Sequence, residues 1–315
     1  MAASTKLIEA GPPLDSPART RDPERAPLKV AAVQERWHPD PDEHREALAQ
    51  GIAQAAQAGA RLVCLQELTL SRYFAVDPGG PQAAKAQPEP LADGPTFAFA
   101  AQAAKQHDVH VHASLYEQAP GDDGLGFNTA ILVAPDGTLQ ARTRKLHIPV
   151  TAGYYEDRYF RAGPATPPDG SDPYATTRIH DAELGLPTCW DQWFPELARA
   201  YSLNGADVLV YPTAIGSEPD HPGFDTEPLW EQVIRGNAIA NGVFMVAVNR
   251  IGEEPPLRFY GSSFICDPYG RVLVQAPRDE PAVIVAELDL DQRRDWLELF
   301  PFLTTRRPDA YGSLT

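Results

Sequence analysis

Three polar side chains, Glu67, Lys145 and Cys189, stand at or just after the ends of apolar, strand-like runs. Open α/β sheets bind their ligands at strand ends, so these side chains are candidates for a chemical role. Taken singly, a Glu or Lys is usually solvated, and a Cys in an apolar strand usually packs in the core. Cys189 fits core packing least, because CWDQWFPE leads from it into a helix and a helix N-terminus lowers the pKa of a thiol. The chemistry in question is attack by a thiolate.

The other two cysteines have the environment of core residues. Cys64 lies between Val63 and Leu65, and Cys266 follows Ile265. Three cysteines are an odd number, they lie far apart, and none forms a CxxC pair. A disulfide framework and a thiolate metal site are therefore excluded.

Segments around the three candidates resemble the signature segments of the nitrilase superfamily of carbon-nitrogen hydrolases. They are LQEL (65–68), RKLHIP (144–149) and CWDQWFPE (189–196), in the family's order of Glu, Lys and Cys, with YPTAIGSEP (211–219) and NRIG (249–252) in addition. The last two extend the similarity toward the N-carbamoylputrescine amidase and β-ureidopropionase-like branch. The resemblance runs from about residue 28 to residue 314.

The resemblance implies an α/β fold, a four-layer αββα sandwich of two packed mixed sheets flanked by helices. It also implies a Glu-Lys-Cys triad. Glu67 would take the thiol proton and later activate water, while Lys145 and the backbone N–H of Trp190 would stabilise the oxyanion. Cys189 would form a thioester-like acyl-enzyme, and no metal or organic cofactor is required. Each oxyanion donor of this kind contributes about a hundred- to a thousandfold in rate.

The resemblance also implies supporting residues. Glu156, eleven residues after Lys145, matches an additional glutamate of several branches and would orient Lys145 or the substrate. Its alternative is an exposed loop carboxylate, and Glu117 is the weaker candidate for a supporting role. The residues expected to bind substrate are Trp190, Asp191, Thr213 and Ala214. For Asp191, bonding to backbone is an equal alternative.

Charge and composition restrict the classes of partner that the protein is expected to bind. The 315 residues include 43 acidic and 27 basic side chains, and the net charge is −16. This balance repels nucleic acids and anionic membrane surfaces and leaves cationic or neutral small molecules as partners. No apolar run reaches the roughly 20 residues of a membrane helix, and no signal core follows the first residues. We expect a cytoplasmic protein.

The residues after Cys189 bear on the substrate. Asp191, Gln192 and Trp193 include no cation. A substrate carboxylate buried beside them would lack an Arg partner, and its burial would be costly, so carboxylate-bearing substrates are disfavoured there. Downstream acids that could attract an amine are Glu218, Asp220, Asp225 and Glu227, although a solvated loop explains them equally. We expect hydrolysis of an N-carbamoyl amine such as N-carbamoylputrescine, or of a small aliphatic amide. The alternative within the family is an amidase of another branch, omega-amidase or β-ureidopropionase-like.

Two further hypotheses come from other classes. A metal-dependent amidohydrolase would use the HxH pair His110 and His112 with His147 or His180, but no Asp ligand pattern accompanies it. Loss of activity in EDTA would favour this hypothesis, and loss on alkylation would favour Cys189. A nitrilase-like binding protein without turnover is the other alternative.

The elements that position these residues follow from hydrophobic periodicity. Strands are expected at 28–33, 61–65, 110–115, 208–211 and 243–249, with another ending at Cys189. Helices are expected between Asp40, as the N-cap, and Gly59, and at 96–107, 195–203 and 228–241. Residues 128–141 and 261–276 both form a strand, a P-x-G turn and a returning strand, which suggests a pseudo-repeat. Pro187 removes a ladder donor, so an edge position or a kink is expected there.

Both ends of the chain differ from the regular part. Residues 1–27 contain five prolines with four basic and four acidic side chains, which predicts a neutral, disordered or surface-draped leader without a packed element. The net charge then belongs to residues 28–315, the expected carbon-nitrogen hydrolase domain. Residues 291–299 predict a short helix before an aromatic tail. The resemblance implies that this tail and the helix after Cys189 build a two-fold interface, so we expect a homodimer or a higher homo-oligomer.

Overall fold

Two β-sheets pack face to face, and helices cover the outer face of each. A computed structural model describes residues 5–121, 123–168 and 170–314 of the chain. Residues 1–4 of the leader, and residues 122, 169 and 315 of the expected domain, lie outside the described residues. The fold is therefore traced over nearly the whole sequence.

The first sheet has seven strands in the order β1-β17-β2-β3-β4-β5-β6. Their bounds are β1 (Lys6–Glu9), β2 (Leu28–Gln34), β3 (Leu62–Leu65), β4 (His110–Glu117), β5 (Phe127–Val133), β6 (Leu139–Arg144) and β17 (Ala282–Leu288). Strands β2, β3 and β4 are parallel, and β5 and β6 form an antiparallel hairpin beside them.

The second sheet has six strands in the order β16-β15-β12-β11-β10-β9. Their bounds are β9 (Thr177–Ile179), β10 (Ala182–Gly185), β11 (Val208–Pro212), β12 (Phe244–Val248), β15 (Phe264–Cys266) and β16 (Val272–Gln275). Two small ribbons pair β7 (Val150–Thr151) with β8 (Tyr154–Tyr155), and β13 (Ile251–Glu254) with β14 (Leu257–Tyr260).

The two large sheets repeat one arrangement. In each, three parallel strands are followed by an antiparallel hairpin, β5–β6 in the first sheet and β15–β16 in the second, and both hairpins carry a register shift. The predicted hairpins at 128–141 and 261–276 are confirmed. Their equivalent positions support the pseudo-repeat.

The helices form the outer layers. Their bounds are α1 (Pro41–Gln57), α2 (Gly80–Ala84), α3 (Pro95–His107), α4 (Pro195–Leu203), α5 (Glu227–Asn241) and α6 (Asp291–Leu299). Helix α1 begins where predicted, because the Asp40 side chain accepts hydrogen bonds from the backbone N–H groups of Asp42 and Glu43. None of the described helices combines the length and apolar character needed to cross a membrane.

Alternation along the strands produces three apolar layers. Val30 and Ala32 of β2 face the second sheet, whereas Ala31 and Val33 face α1 and α3. A third cluster packs β11 and β12 against α4 and α5. The expected αββα sandwich is confirmed. Cys64 and Cys266 are fully buried in these layers, as predicted, and burial raises the pKa of both thiols.

The structure corrects the prediction at Pro187. Strand β10 ends at Gly185, and it lies between β9 and β11 rather than at the edge of the sheet. Pro187 follows the strand and therefore removes no ladder hydrogen bond. The strand expected to end at Cys189 stops four residues earlier, and Thr188, directly before the cysteine, is extended.

The structure also corrects the prediction for the leader. Lys6–Glu9 form β1, which pairs in parallel with β17, so the expectation that the leader contains no packed element is wrong there. Arginines fasten the rest: Arg19 reaches Asp289 and Asp295, and Arg25 reaches Asp207. The prolines prevent a helix, but neither they nor the low apolar content prevent strand pairing and ion pairs.

Candidate active site

Lys145, Glu67 and Glu156 meet in a buried cluster. The Lys145 Nζ lies 3.0 Å from Oε1 of Glu67 and 2.9 and 2.7 Å from the two carboxylate oxygens of Glu156. The ammonium and the Glu67 carboxylate are completely shielded from solvent, and Glu156 is 1% exposed. Glu156 is therefore not an exposed loop carboxylate, which was the alternative for this residue.

Strand ends bring the cluster together. Glu67 follows β3, and Lys145 follows β6 directly. Asn128 on β5 connects them, because its side-chain amide donates to Oε1 of Glu67 at 2.7 Å and its carbonyl accepts from the backbone N–H of Lys145 at 2.8 Å. The second oxygen of Glu67 is buried and accepts no hydrogen bond from the described residues. That oxygen is available to accept a proton.

Cys189 begins a 3-10 helix, Cys189–Trp193, in a strained backbone conformation. Its φ is +39°, a region that residues with a Cβ rarely adopt, and only 5% of the residue is exposed. Burial raises the pKa of the thiol well above its ordinary value, and the Glu67 carboxylate adds to this while Lys145 opposes it. Burial thus dominates the pKa of this thiol, and the net shift is opposite in direction to the lowering expected from a helix N-terminus. A protonated thiol of this kind needs a neighbouring base.

Burial also shifts the pKa values of Glu156 and Lys145. It raises the pKa of Glu156 to about 7, with a further rise from Glu67 and an opposing effect of the Lys145 ammonium. For Lys145, burial favours the neutral amine, but Glu156 and Glu67 outweigh it and raise the pKa. Lys145 is therefore held as an ammonium.

A cavity of about 330 Å³ opens onto the thiol. Its lining residues are Pro149, Thr151, Tyr154, Glu156, Cys189, Trp190, Trp193, Ala214, Ile215, Glu218, Thr226 and Leu229. Trp190 and Ala214 are thus placed where the sequence analysis predicts substrate contacts. The two charged members are the carboxylates Glu156 and Glu218, and no basic side chain stands among the described residues that line it.

Asp191 and Thr213 point elsewhere. Oδ1 of Asp191 accepts from the backbone N–H and Nδ1 of His147, and Oδ2 accepts from the backbone N–H of Thr188. Thr213 is fully buried, and its hydroxyl donates to the carbonyl of Tyr211. Neither lines the cavity, so we withdraw both as substrate-binding residues. Asp191 instead fastens the segment that carries Lys145 to the turn that carries Cys189.

The other acidic side chains considered for the site differ in their distance from the cavity and in their partners. Glu117 forms a bidentate ion pair with Arg144, the neighbour of Lys145. Asp225 pairs with Arg278 at 2.8 Å beside a second, larger cavity, and Asp220 is exposed. Glu227 lies 4.0 Å from Arg278, so of the four downstream acids only Glu218 lines the cavity of Cys189.

The histidines of the metal hypothesis are not arranged as a ligand set. His110 packs edge to face against His180, and His112 lies fully buried opposite Cys64 in the sheet register. His147 is engaged by Asp191. Among the residues that the structure describes, no group of three or more His, Cys, Asp or Glu side chains is placed to hold a metal ion.

Three site residues escaped the sequence analysis. Asn128 joins Glu67 to Lys145, Tyr73 donates its hydroxyl hydrogen to Glu156 at 2.8 Å, and Arg250 donates to the carbonyl of Glu67 at 2.6 Å. Arg250 stands in the NRIG segment and Asn128 opens a predicted hairpin, but no spacing signals their contacts. Tyr73 lies in a loop without periodicity.

Similarity to known proteins agrees with this geometry. Residues 29–298 match the model of the carbon-nitrogen hydrolase family. The chain is 38% identical over 277 residues to an N-carbamoylputrescine amidase of Solanum lycopersicum, which covers 85% of this chain and 88% of that protein. It is 33% identical over 296 residues to a citrullinase of Francisella tularensis, covering 92% and 98% respectively.

A solved structure extends the similarity to three dimensions. A carbon-nitrogen hydrolase from Helicobacter pylori superposes with a TM-score of 0.81 at 32% sequence identity. The match covers 92% of this chain and 98% of that protein. Similarity in sequence and similarity in backbone therefore each cover most of the chain.

Proposed function

This chain belongs to the carbon-nitrogen hydrolase family, and from that premise we propose that it hydrolyses an N-carbamoyl amine through a Cys189 acyl-enzyme. The observation that carries the proposal is the cavity, in which the thiol and the Glu218 carboxylate share apolar walls. The likeness to N-carbamoylputrescine amidases supports the same substrate class.

The proposed reaction uses Glu67, Lys145 and Cys189 in sequence. The thiol attacks the ureido carbonyl carbon while Glu67 accepts its proton, and the Lys145 ammonium with the Trp190 backbone N–H stabilises the oxyanion. The tetrahedral species expels ammonia, protonated by Glu67, and leaves a carbamoyl thioester. Water, deprotonated by Glu67, then releases the carbamate and the thiol. The carbamate loses carbon dioxide to give the amine.

Glu218 would bind the cationic tail. It is half-buried at the cavity wall, and burial raises its pKa while Thr226 and His221 oppose the shift. An ammonium group in the cavity would offset the cost of burying this carboxylate, because charge-assisted hydrogen bonds are the stronger ones. Apolar walls from Trp193, Ile215 and Leu229 suit a short aliphatic spacer.

Ammonia release from a substrate panel tests the proposal. N-carbamoylputrescine should be preferred over N-carbamoyl-β-alanine, citrulline and simple aliphatic amides. Glu218→Gln should lower kcat/KM for the cationic substrate about 10- to 100-fold, since a hydrogen bond to a charged group is lost. Asp225→Asn is the matched control, because it removes an acid that pairs with Arg278 outside this cavity.

The outcomes separate the alternatives. Preference for N-carbamoyl-β-alanine would contradict recognition of a cation, and preference for citrulline would place the chain with its citrullinase relative. Cys189→Ala should abolish turnover while Cys64→Ala keeps it. Equal activity of wild type and Cys189→Ala would refute the nucleophile. A wild type inactive on the whole panel would favour a binding protein.

We also propose a cytoplasmic homodimer. Leu203 of α4 and Leu299 and Phe300 at the end of α6 are large apolar side chains, and each is about half exposed. These elements are the ones that the resemblance assigns to a two-fold interface, and free cysteines suit a reducing compartment. A solution mass of two chains by light scattering is expected.

A further inference from the structure

Arg250 is a buried cation beside the catalytic cluster, and it does not line the cavity. Its side chain has no solvent exposure. Nη2 donates to the backbone carbonyl oxygen of Glu67 at 2.6 Å, and to those of Leu68 and Ser71 at 3.3 and 3.2 Å. Nη1 donates to Oε1 of Glu254 at 2.6 Å. One guanidinium therefore holds the loop that carries Glu67.

The loop has a reason to need this cation. Leu68 is fully buried with a φ of +49°, so the backbone turns sharply directly after Glu67. The turn directs several carbonyl groups into the interior, and buried carbonyls without donors cost free energy. The flat fork of an arginine serves several acceptors at once, whereas a lysine is a single point of charge.

A second series of contacts leads from Arg250 to Glu156. Oε2 of Glu254 accepts from the backbone N–H of Tyr73 at 2.5 Å. The Tyr73 hydroxyl donates to Oε1 of Glu156 at 2.8 Å, and the same oxygen accepts from Lys145. Arg250 thus reaches Glu67 directly and Glu156 through two intermediate residues.

We propose that Arg250 is a positioning residue that fixes the Glu67 and Glu156 carboxylates around the Lys145 ammonium and thereby sets the reactivity of Cys189. The inference rests on the proposed function where turnover is concerned. Its physical content, the placement of the base next to the thiol, is also measurable without substrate. A misplacement of about 1 Å in such a site costs about a hundredfold in rate.

Arg250→Lys tests the proposal, because it keeps the charge and removes the fork. We expect kcat for N-carbamoylputrescine to fall about 10- to 100-fold while KM changes less than about threefold, since Arg250 does not contact the cavity. Arg271→Lys is the matched control. Arg271 pairs with Asp267 at 2.6 Å, also four residues away in sequence, on an element that does not line the cavity.

Alkylation of Cys189 by iodoacetamide gives a readout that is independent of substrate. The rate, followed by peptide mass spectrometry at a temperature where both proteins are folded, should fall about tenfold in Arg250→Lys and stay at the wild-type value in Arg271→Lys. If Arg250→Lys does not fold, Glu254→Gln takes its place. That variant keeps the contacts of Arg250 with the loop and weakens the connection to Tyr73.

The outcomes distinguish this inference from the proposed function. A folded Arg250→Lys with lowered thermal stability but wild-type kcat and alkylation rate would show a purely structural role and overturn the proposal. Wild-type values for Glu254→Gln, if it replaces Arg250→Lys, would overturn the connection from Arg250 to Glu156. Slower alkylation together with a wild type that turns over no ureido substrate would support the positioning role and reject the proposed substrate.

Discussion

The Lys145 ammonium has two carboxylates as neighbours, so one positive charge faces two groups that can each carry a negative charge. Both Glu67 and Glu156 are within 3.0 Å of it and shielded from water. Two like charges in one buried site favour keeping a proton on one of them. Burial and the Glu67 carboxylate accordingly raise the pKa of Glu156, although the Lys145 ammonium opposes the rise.

Glu156→Gln should therefore change how stability depends on pH. Burial raises the pKa of Glu156 from 4.5 to about 7 in the folded protein, so between these values the folded state holds a proton that the unfolded state has released. The stabilisation is complete below about pH 4.5 and is lost as the pH rises through 7, by at most about 1.4 kcal/mol per pH unit. Urea unfolding across this range should give a steeper decline for wild type than for Glu156→Gln.

Glu117→Gln is the control for that experiment. Burial alone would raise the pKa of Glu117, but hydrogen bonds from Arg144 and Thr129 bring it below 4.5. A lowered pKa contributes stability that is lost only below pH 4.5, so the slope between 4.5 and 7 should match wild type. Equal slopes for wild type and Glu156→Gln would contradict the raised pKa.

Some residues of the site could be predicted from the sequence segments in which they lie, and others could not. Glu67, Lys145 and Cys189 were predictable because each stands in a segment that resembles a signature, and Glu156 was predictable from its resemblance to an additional glutamate of several family branches. Arg250 was not predictable. Its partners are mostly backbone carbonyls of a distant loop, and such contacts depend on chain path rather than on residue type.

At the scale of elements, the loop after β11 passes very close to the β13–β14 ribbon. Gly216 shows how close, because a Cβ built there would lie 2.3 Å from the carbonyl oxygen of Arg258 and 2.8 Å from Cα of Phe259. Its backbone N–H also donates to the Tyr154 hydroxyl oxygen at 2.9 Å. The loop carries Ile215 and Glu218 to the cavity, so its path shapes the site.

Gly216→Ala should displace that loop. We expect a loss of about 1–3 kcal/mol in the free energy of unfolding, since backbone atoms cannot move aside as a flexible side chain would. Because Glu218 shifts with the loop, kcat/KM for N-carbamoylputrescine should fall as well. Gly223→Ala in the same loop is the control, as its Cβ would meet nothing within 4 Å. Indistinguishable unfolding and kinetics for the two variants would contradict this account.

Elements were predicted better than their ends. Apolar periodicity located the central strands, and Asp40 marked the start of α1. The end of β10 was missed because Pro187 was placed inside the strand, whereas Gly185 is its last residue. Sequence periodicity does not say where pairing with β9 and β11 stops.

At the scale of the whole molecule, the leader and the C-terminal helix are connected by charge. Arg25 donates to Asp207 at 2.9 Å and to Asp291 at 3.2 Å, and both carboxylates are almost fully buried. Arg21 and Glu298 form a similar contact at 2.7 Å with both side chains about half exposed. The composition indicates a neutral leader but not that its arginines pair with acids near the other end of the chain.

Arg25→Ala should destabilise the protein by about 1–3 kcal/mol, because it leaves two buried carboxylates without this partner. Arg21→Ala should change stability by less than about 1 kcal/mol, since exposed ion pairs contribute little. Urea unfolding measures both, and kcat should stay at the wild-type value because neither residue lines the cavity. Equal effects of the two substitutions would show that the leader is held in another way.

The pairing of β1 with β17 has a consequence for folding during protein synthesis. Its register joins Lys6 to Ala282 and Glu9 to Val285, so β1 leaves the ribosome well before the strand with which it pairs. At a synthesis rate of about 5 to 20 residues per second, β1 waits roughly 15 to 55 seconds for its partner. During that time Leu7 and Ile8 stay available to other chains, and β1 can join the sheet only after β17 has been synthesised.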